Sequence, residues 1–174
     1  MFTEHVHPTL RAHQRQQTES KILEVSRELF DSNGFSETSI RDIAKQAGVS
    51  VGTVMKCGSK QSLLIRVVED WISEIHNEIT GLSLTSSIES FLEFFTDHDE
   101  LSRAYCAALI NESSDTLSRL KPLFLDMAER EGMASGDVLY DAYLGILIGW
   151  AAGLYSTTEA KSRISIAVRT LEAR

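Results

Sequence analysis

Cysteine and proline are both scarce in this chain, two of each in 174 residues. Cys57 and Cys106 are too few and too distant in sequence to build a disulfide framework, which suits a reducing cytoplasm. No segment alternates apolar and polar residues with the period of a strand, so the pattern excludes a β architecture. The longest uncharged run is Ala142 to Thr158, and its apolar part, Ala142 to Tyr155 before three hydroxyl residues, is 14 residues. That is too short to span a bilayer and suits a buried core helix. No signal peptide is visible in the polar stretch from Met1 to Gln17, which holds His5, His7, Arg11, His13 and Arg15 and reads as a flexible arm.

Catalytic and metal-binding signatures are missing as well. His76 and His98 have no cysteine or second histidine at ligand spacing, so no metal is expected. No nucleophile, base and oxyanion set is legible, and no glycine-rich loop follows a strand, so neither an enzyme nor a cofactor site is expected.

What is present is a helical chain with 43% hydrophobic and 24% charged residues, a balance typical of globular proteins. Its net charge of −8 is unevenly distributed. Residues 1–66 carry nine Lys or Arg against seven Asp or Glu, net +2, and residues 67–174 carry eight against eighteen, net −10. Phosphate binding needs only local cations, so the acidic total does not exclude DNA as a partner.

Ser39 to Leu64 is the most informative stretch. Ser39 and Asp42 have the spacing of a helix cap, and Ile40, Ile43, Ala44 and Ala47 then fall on one face. Gly48 stops that helix, and Ser50 can cap a second from Val51 to about Met55, the pattern of a helix-turn-helix. Upstream, Thr18 to Asn33 reads as a helix with Ile22, Val25, Leu29 and Phe30 on its apolar stripe, closed by Gly34 with Phe35 packing back on Phe30. Downstream, Ser59 caps a long helix carrying Leu63, Leu64, Val67, Val68, Trp71, Ile72, Ile75 and Ile79. Further capping signals lie at Thr85 or Ser86, Asp97 or Asp99, Ser113 or Ser114, Asp137, and Ser156 or Thr157. Pro122 must begin a helix or kink one. The expected fold is all-α, about nine helices in three segments: an arm over 1–17, a three-helix helix-turn-helix domain over 18–66, and a helical ligand-binding and dimerisation domain over 67–174.

The ordered run LFDSNGF, TSIRDIAKQAGVS, GTV and GSKQSLL resembles the DNA-binding domain of the TetR family of bacterial transcriptional regulators. That resemblance implies a homodimer whose two reading helices enter the major groove of an operator. It also implies a C-terminal domain whose small-molecule effector moves the reading heads apart, so that a repressor leaves its DNA. Carried over residue by residue, Ser39 and Arg41 face DNA at the start of the first motif helix, Ser50, Val51 and Thr53 front the reading helix, and Lys60 grips a phosphate. Lys45 and Lys56 join them on charge alone. The chain departs from the family after Gly52-Thr53. Allowing Val54 for the usual Leu, three residues (Met55, Lys56 and Cys57) precede Gly58 where four are expected, and the aromatic residues are gone. Either the reading helix is shortened or the turn after it is tightened. Met55 cannot make the phosphate hydrogen bond of the tyrosine it replaces.

In the second domain, Trp71, Phe94, Tyr105, Phe124, Met127, Tyr143 and Trp150 are candidates to line a pocket, with core packing as the alternative for most. The −10 balance favours an apolar or aromatic effector over an anionic one. Gly145, Gly149 and Gly153 recur at every fourth position and require a close neighbour, either the same chain or a second subunit. The subunit reading makes them a dimer interface together with Ile164 and Val168. Cys57, near Lys56 and Lys60, reads as a buried structural thiol or a redox switch. The competing function is a helical ligand- or protein-binding module that has lost operator recognition.

Overall fold

The computed structural model describes residues 8–79, 81–111 and 120–172. The described residues form nine helices and no strand. They divide into two units between Val67 and Val68, within one helix.

In the first unit, α1 runs Pro8–Asn33, α2 Ile40–Ala47 and α3 Val51–Cys57, followed by the start of α4, Lys60–Glu78. The expected helix at Thr18 therefore begins ten residues earlier, and Pro8 to Gln17 is part of α1 rather than an arm. Proline at a first helical position and the absence of a breaker before Gly34 explain the extension. Residues 1–7 lie outside the described residues. Ile22, Phe30, Ile43, Ala47, Val54, Leu63 and Leu64 fill the core of this unit, each almost fully buried. Gly34 adopts φ 82° and lets Phe35 return to Phe30, with ring centroids 5.6 Å apart. Buried Thr38 donates to the Leu29 carbonyl at 3.1 Å and the Gly34 carbonyl at 2.8 Å, tying the loop to the end of α1.

The second unit holds the rest of α4, then α5 Leu84–Asp97, α6 Asp99–Asn111, α7 Lys121–Arg130, α8 Gly136–Ala151 and α9 Thr157–Glu172. Helix α8 packs on α7, α9 and α6, and α9 also packs on α5. Pro122 stands in the first turn of α7, where its missing amide costs nothing. Ser156 caps α9 in a reciprocal pair with Glu159, which accepts from the Ser156 amide at 2.8 Å.

Several expected signals move. Ser83, not Thr85 or Ser86, caps α5, accepting from the Ser86 amide at 3.2 Å. Neither Asp97 nor Asp99 is a cap: Asp97 ends α5 and Asp99 opens α6. Asp137 is inside α8, where its carboxylate accepts from the Val138 amide at 2.9 Å. Ser113 and Ser114 lie outside the described residues.

The glycine row also breaks. Helix α8 ends at Ala151, and Gly153, at φ 79°, is in the turn beyond it. At Gly149 the close neighbour is in the same chain, since a Cβ would sit 2.3 Å from the Tyr155 ring. The Arg163 guanidinium covers that ring at 4.2 Å. Gly145 is exposed with nothing near it. Ile164 and Val168 are fully buried in the single chain, so they face its own core and have no surface left for a second subunit.

Candidate nucleic-acid interface

Helices α2 and α3 are set by caps written in the sequence. The Ser39 hydroxyl accepts from the Asp42 amide at 3.2 Å while the Ser39 amide donates to the Asp42 carboxylate at 3.0 Å. Ser39 is also what holds the Asp42 carboxyl below its usual range. Gly48 at φ 70° ends α2, and the Val49 amide returns to the Ala44 carbonyl at 3.0 Å. Ser50 then caps α3, accepting from the Thr53 amide at 3.0 Å, with its hydroxyl 2.8 Å from that of Thr53.

Only Val54 of α3 is buried, which leaves the opposite face open. Of the candidate DNA residues, Ser39, Arg41, Lys45, Ser50, Val51 and Lys56 are exposed and Thr53 is half-buried. Lys60, also half-buried, opens α4 and is already engaged: its Nζ donates to the Ser36 carbonyl at 3.4 Å and sits 4.2 Å over the Phe35 ring.

The irregular stretch after Thr53 resolves as a tightened turn. Helix α3 continues to Cys57, two residues past the expected end, and only Gly58 and Ser59 separate it from α4. Gly58 holds φ 147° and ψ 177°, a conformation open to glycine, and Ser59 caps α4 by accepting from the Ser62 amide at 3.0 Å.

Arg15 is a functional candidate that sequence reasoning missed. It borders a groove of about 710 Å³ shared with Gln14, Thr18, Thr53 and Lys56. Glu19 on the same groove is paired with Arg66 at 2.6 Å. The signal was the spacing of Arg11 and Arg15 on one face of an unbroken helix. Cys57 also lines this groove, and burial, then Glu19, push its thiol pKa up against the opposing pull of Arg66 and Arg15. A raised thiol favours the structural reading of Cys57 over a redox switch.

In the second unit the expected pocket residues separate into two sets. Tyr105, Phe124, Met127, Tyr143 and Trp150 are buried, while Trp71 and Phe94 are half-buried, 5.8 Å apart between ring centroids. Phe124 packs against Tyr143 at 4.7 Å and Tyr140 at 5.2 Å, and Phe95 against Tyr105 at 5.6 Å, which is a continuous aromatic core. Trp150 closes the end of α8, its indole donating to Thr157 at 3.3 Å with Arg103 over the ring at 4.9 Å. The Tyr143 hydroxyl is buried and meets no hydrogen-bond partner among the described residues. Burial raises the pKa of both Tyr143 and Tyr105 well above the usual phenol value, with Glu69 adding to the shift at Tyr105. Burial likewise pushes the Cys106 thiol up to about 12. Among the described residues no group of three or more His, Cys, Asp or Glu could hold a metal ion, and no helix is long and apolar enough to cross a membrane.

Residues 22–67 match the family model described as bacterial regulatory proteins, tetR family. The probable HTH-type transcriptional regulator YttP of Bacillus subtilis (strain 168) is 32% identical over 85 residues, 46% of this chain and 41% of that protein. The aligned stretch thus spans about two-fifths of that relative. A TetR transcriptional regulator from Rhodococcus sp. RHA1 superposes with a TM-score of 0.73 at 19% identity, covering 90% of this chain and 96% of the other. The TetR-family repressor FadR of Thermus thermophilus, solved with lauroyl-CoA, gives a TM-score of 0.70 at 21% identity over 88% of this chain and 92% of its own. These two structures share the fold of this chain.

Proposed function

We propose, on the premise that residues 22–67 match the model of the tetR family of bacterial regulatory proteins, that the chain is a DNA-binding transcriptional regulator of that family, a repressor released from its operator by a small molecule. The capped α2 and α3 pair carries this reading, because α3 buries Val54 and turns its opposite face outward. In a major groove that face meets base edges, while Arg41, Lys45 and Lys56 reach phosphates on either side. Ser39, Ser50 and Thr53 add hydroxyls at the two helix starts. Lys60 reaches a phosphate by exchanging its long contact with the Ser36 carbonyl for a charge-assisted one. Arg11 and Arg15 extend the cationic edge along α1, replacing the phosphate contact that Met55 cannot make.

The protein acts as a homodimer in the cytoplasm. With Ile164 and Val168 buried and Gly149 filled by Tyr155, the shared surface falls on the outer sides of α8 and α9, where Val138, Gly145 and Ile166 are exposed. A two-fold axis there makes a self-complementary patch. The effector is apolar or aromatic and enters the second unit beside Trp71 and Phe94, with the Tyr143 hydroxyl as the polar group awaiting a partner. Tyr105, packed on Phe95, serves the core with Phe124, Met127 and Trp150.

Selection of bound sequences from a random duplex pool, followed by a salt titration on the best site, tests the reading. A regulator yields a two-fold motif and an affinity that falls steeply with salt. Flat, micromolar or weaker binding to every duplex would instead favour a helical binding module without an operator.

A further inference from the structure

We infer that α3 reads its operator through the C5-methyl groups of thymine, with Val51 and Met55 as the specificity-determining side chains, an inference that rests on the DNA-binding function proposed above. Val51 is 44% and Met55 54% exposed, although both are apolar and α3 is only seven residues long. They are four positions apart and so stand side by side on the helix, their Cβ atoms about 6 Å from one another. Val54, which faces the core, is fully buried.

Gly52 lies on the same exposed side. A Cβ there would meet only the Ser50 hydroxyl at 3.7 Å, an ordinary contact, so nothing within the chain requires glycine at this position. Glycine nonetheless loses more backbone freedom than alanine when it joins the first turn of α3. An approach from outside the chain accounts for it, since the bare backbone lets α3 settle close to the groove floor on the flank of Met55 away from Val51.

The side chains α3 lacks point the same way. It carries no Arg, Asn, Gln, Asp or Glu, and Lys56 is its single charge. Recognition by Arg, Asn or Gln is therefore unavailable to this helix, and Lys56, the one residue left that can address guanine, is assigned to a phosphate. The Ser50 and Thr53 hydroxyls are engaged with each other in the cap, and hydroxyls accept either base. The apolar feature that the major groove offers is the thymine methyl, and Val51 and Met55 are the apolar groups that face outward. A spacing of about 6 Å against a rise of about 3.4 Å per base places the two thymines about two steps apart.

Replacing thymine by uracil removes the methyl and leaves every hydrogen-bonding edge intact, which isolates the contact. On the best site from the duplex selection, each uracil placed under α3 should weaken binding about four-fold in fluorescence anisotropy, the worth of one buried carbon. Met55→Ala should abolish the penalty at one of the two positions, and Val51→Ala at the other. Met55→Leu, which keeps an apolar group of similar size, should retain the penalty. Lys56→Ala should weaken thymine and uracil duplexes alike. Circular dichroism confirms that each variant folds. A wild-type protein indifferent to uracil throughout its half-site, or a Met55→Ala variant that keeps the full penalty, overturns the inference while leaving the regulator reading intact. A selection that returns no bound duplex overturns that reading, and this inference with it.

Discussion

Replacing Gly58 by alanine should cost more than its small size suggests, for two separable reasons. At φ 147° and ψ 177° an L-residue is in a region essentially reserved for glycine, and holding it there costs about 1–3 kcal/mol. The added Cβ would also stand 2.9 Å from the Cβ of Ser62. Ser62 is bound to the cap of α4, its amide donating to Ser59 Oγ at 3.0 Å and its hydroxyl 2.9 Å from that of Ser59. Displacing Ser62 weakens the cap by about 1 kcal/mol, so the total is about 2–4 kcal/mol. Against a typical stability of about 5–15 kcal/mol this is a large fraction. Urea unfolding should be followed by far-UV circular dichroism, since Trp71 and Trp150 both lie beyond Val67 and report on the other unit. Gly48→Ala is the matched control. Gly48 also has a positive φ, 70°, but the nearest atom to its added Cβ is the Lys21 ammonium nitrogen at 3.9 Å, so it should lose only about 1–2 kcal/mol. If Gly58→Ala loses no more than Gly48→Ala, the crowding and cap arguments are both wrong.

Three further outcomes follow from the same geometry. Replacing Arg11 and Arg15 together by alanine should make the salt dependence of operator binding shallower by about 3 to 4 in log-log slope for a dimer, at about 0.9 per phosphate contact; an unchanged slope would remove α1 from the DNA surface. Ile166→Glu, on the exposed side of α9, should yield monomers in sedimentation, whereas an unchanged dimer would move the interface elsewhere. Because Ser39 holds the Asp42 carboxyl below its usual range, the box stabilises α2 fully above about pH 5 and fades as pH falls below about 4 through the folded-state value. In Ser39→Ala the Asp42 midpoint, followed by NMR, should therefore rise; a stationary midpoint would show that Ser39 is not the cause.

The first unit was largely legible because its structure is decided locally. Ser39 with Asp42, Gly48, Ser50 and Ser59 each act within a few residues, so spacing alone identifies them. The start of α1 was not legible, since Leu10 is the single large apolar residue between Pro8 and Gln17 and no apolar period marks a helix there. In the second unit the hidden information is tertiary. Periodicity marks Phe124, Tyr143 and Trp150 as inward-facing but cannot distinguish a packed core from a cavity wall. The row of glycines misled for a related reason. Gly153 turns the chain, and the turn brings Tyr155 back onto Gly149, a contact that no helical repeat would display.

The two-residue link between α3 and α4 makes the length of the reading helix a phase setting. One residue added to α3 would turn the origin of α4, and Lys60 with it, by about 100° and advance it by about 1.5 Å. The outward strip of Val51 and Met55 would then fall out of step with the lysine beside it. On the proposed DNA-binding function, operator preference would be encoded by a count of residues as much as by their identity. Transplanting single side chains from a relative with a longer segment would carry over the letters without their frame.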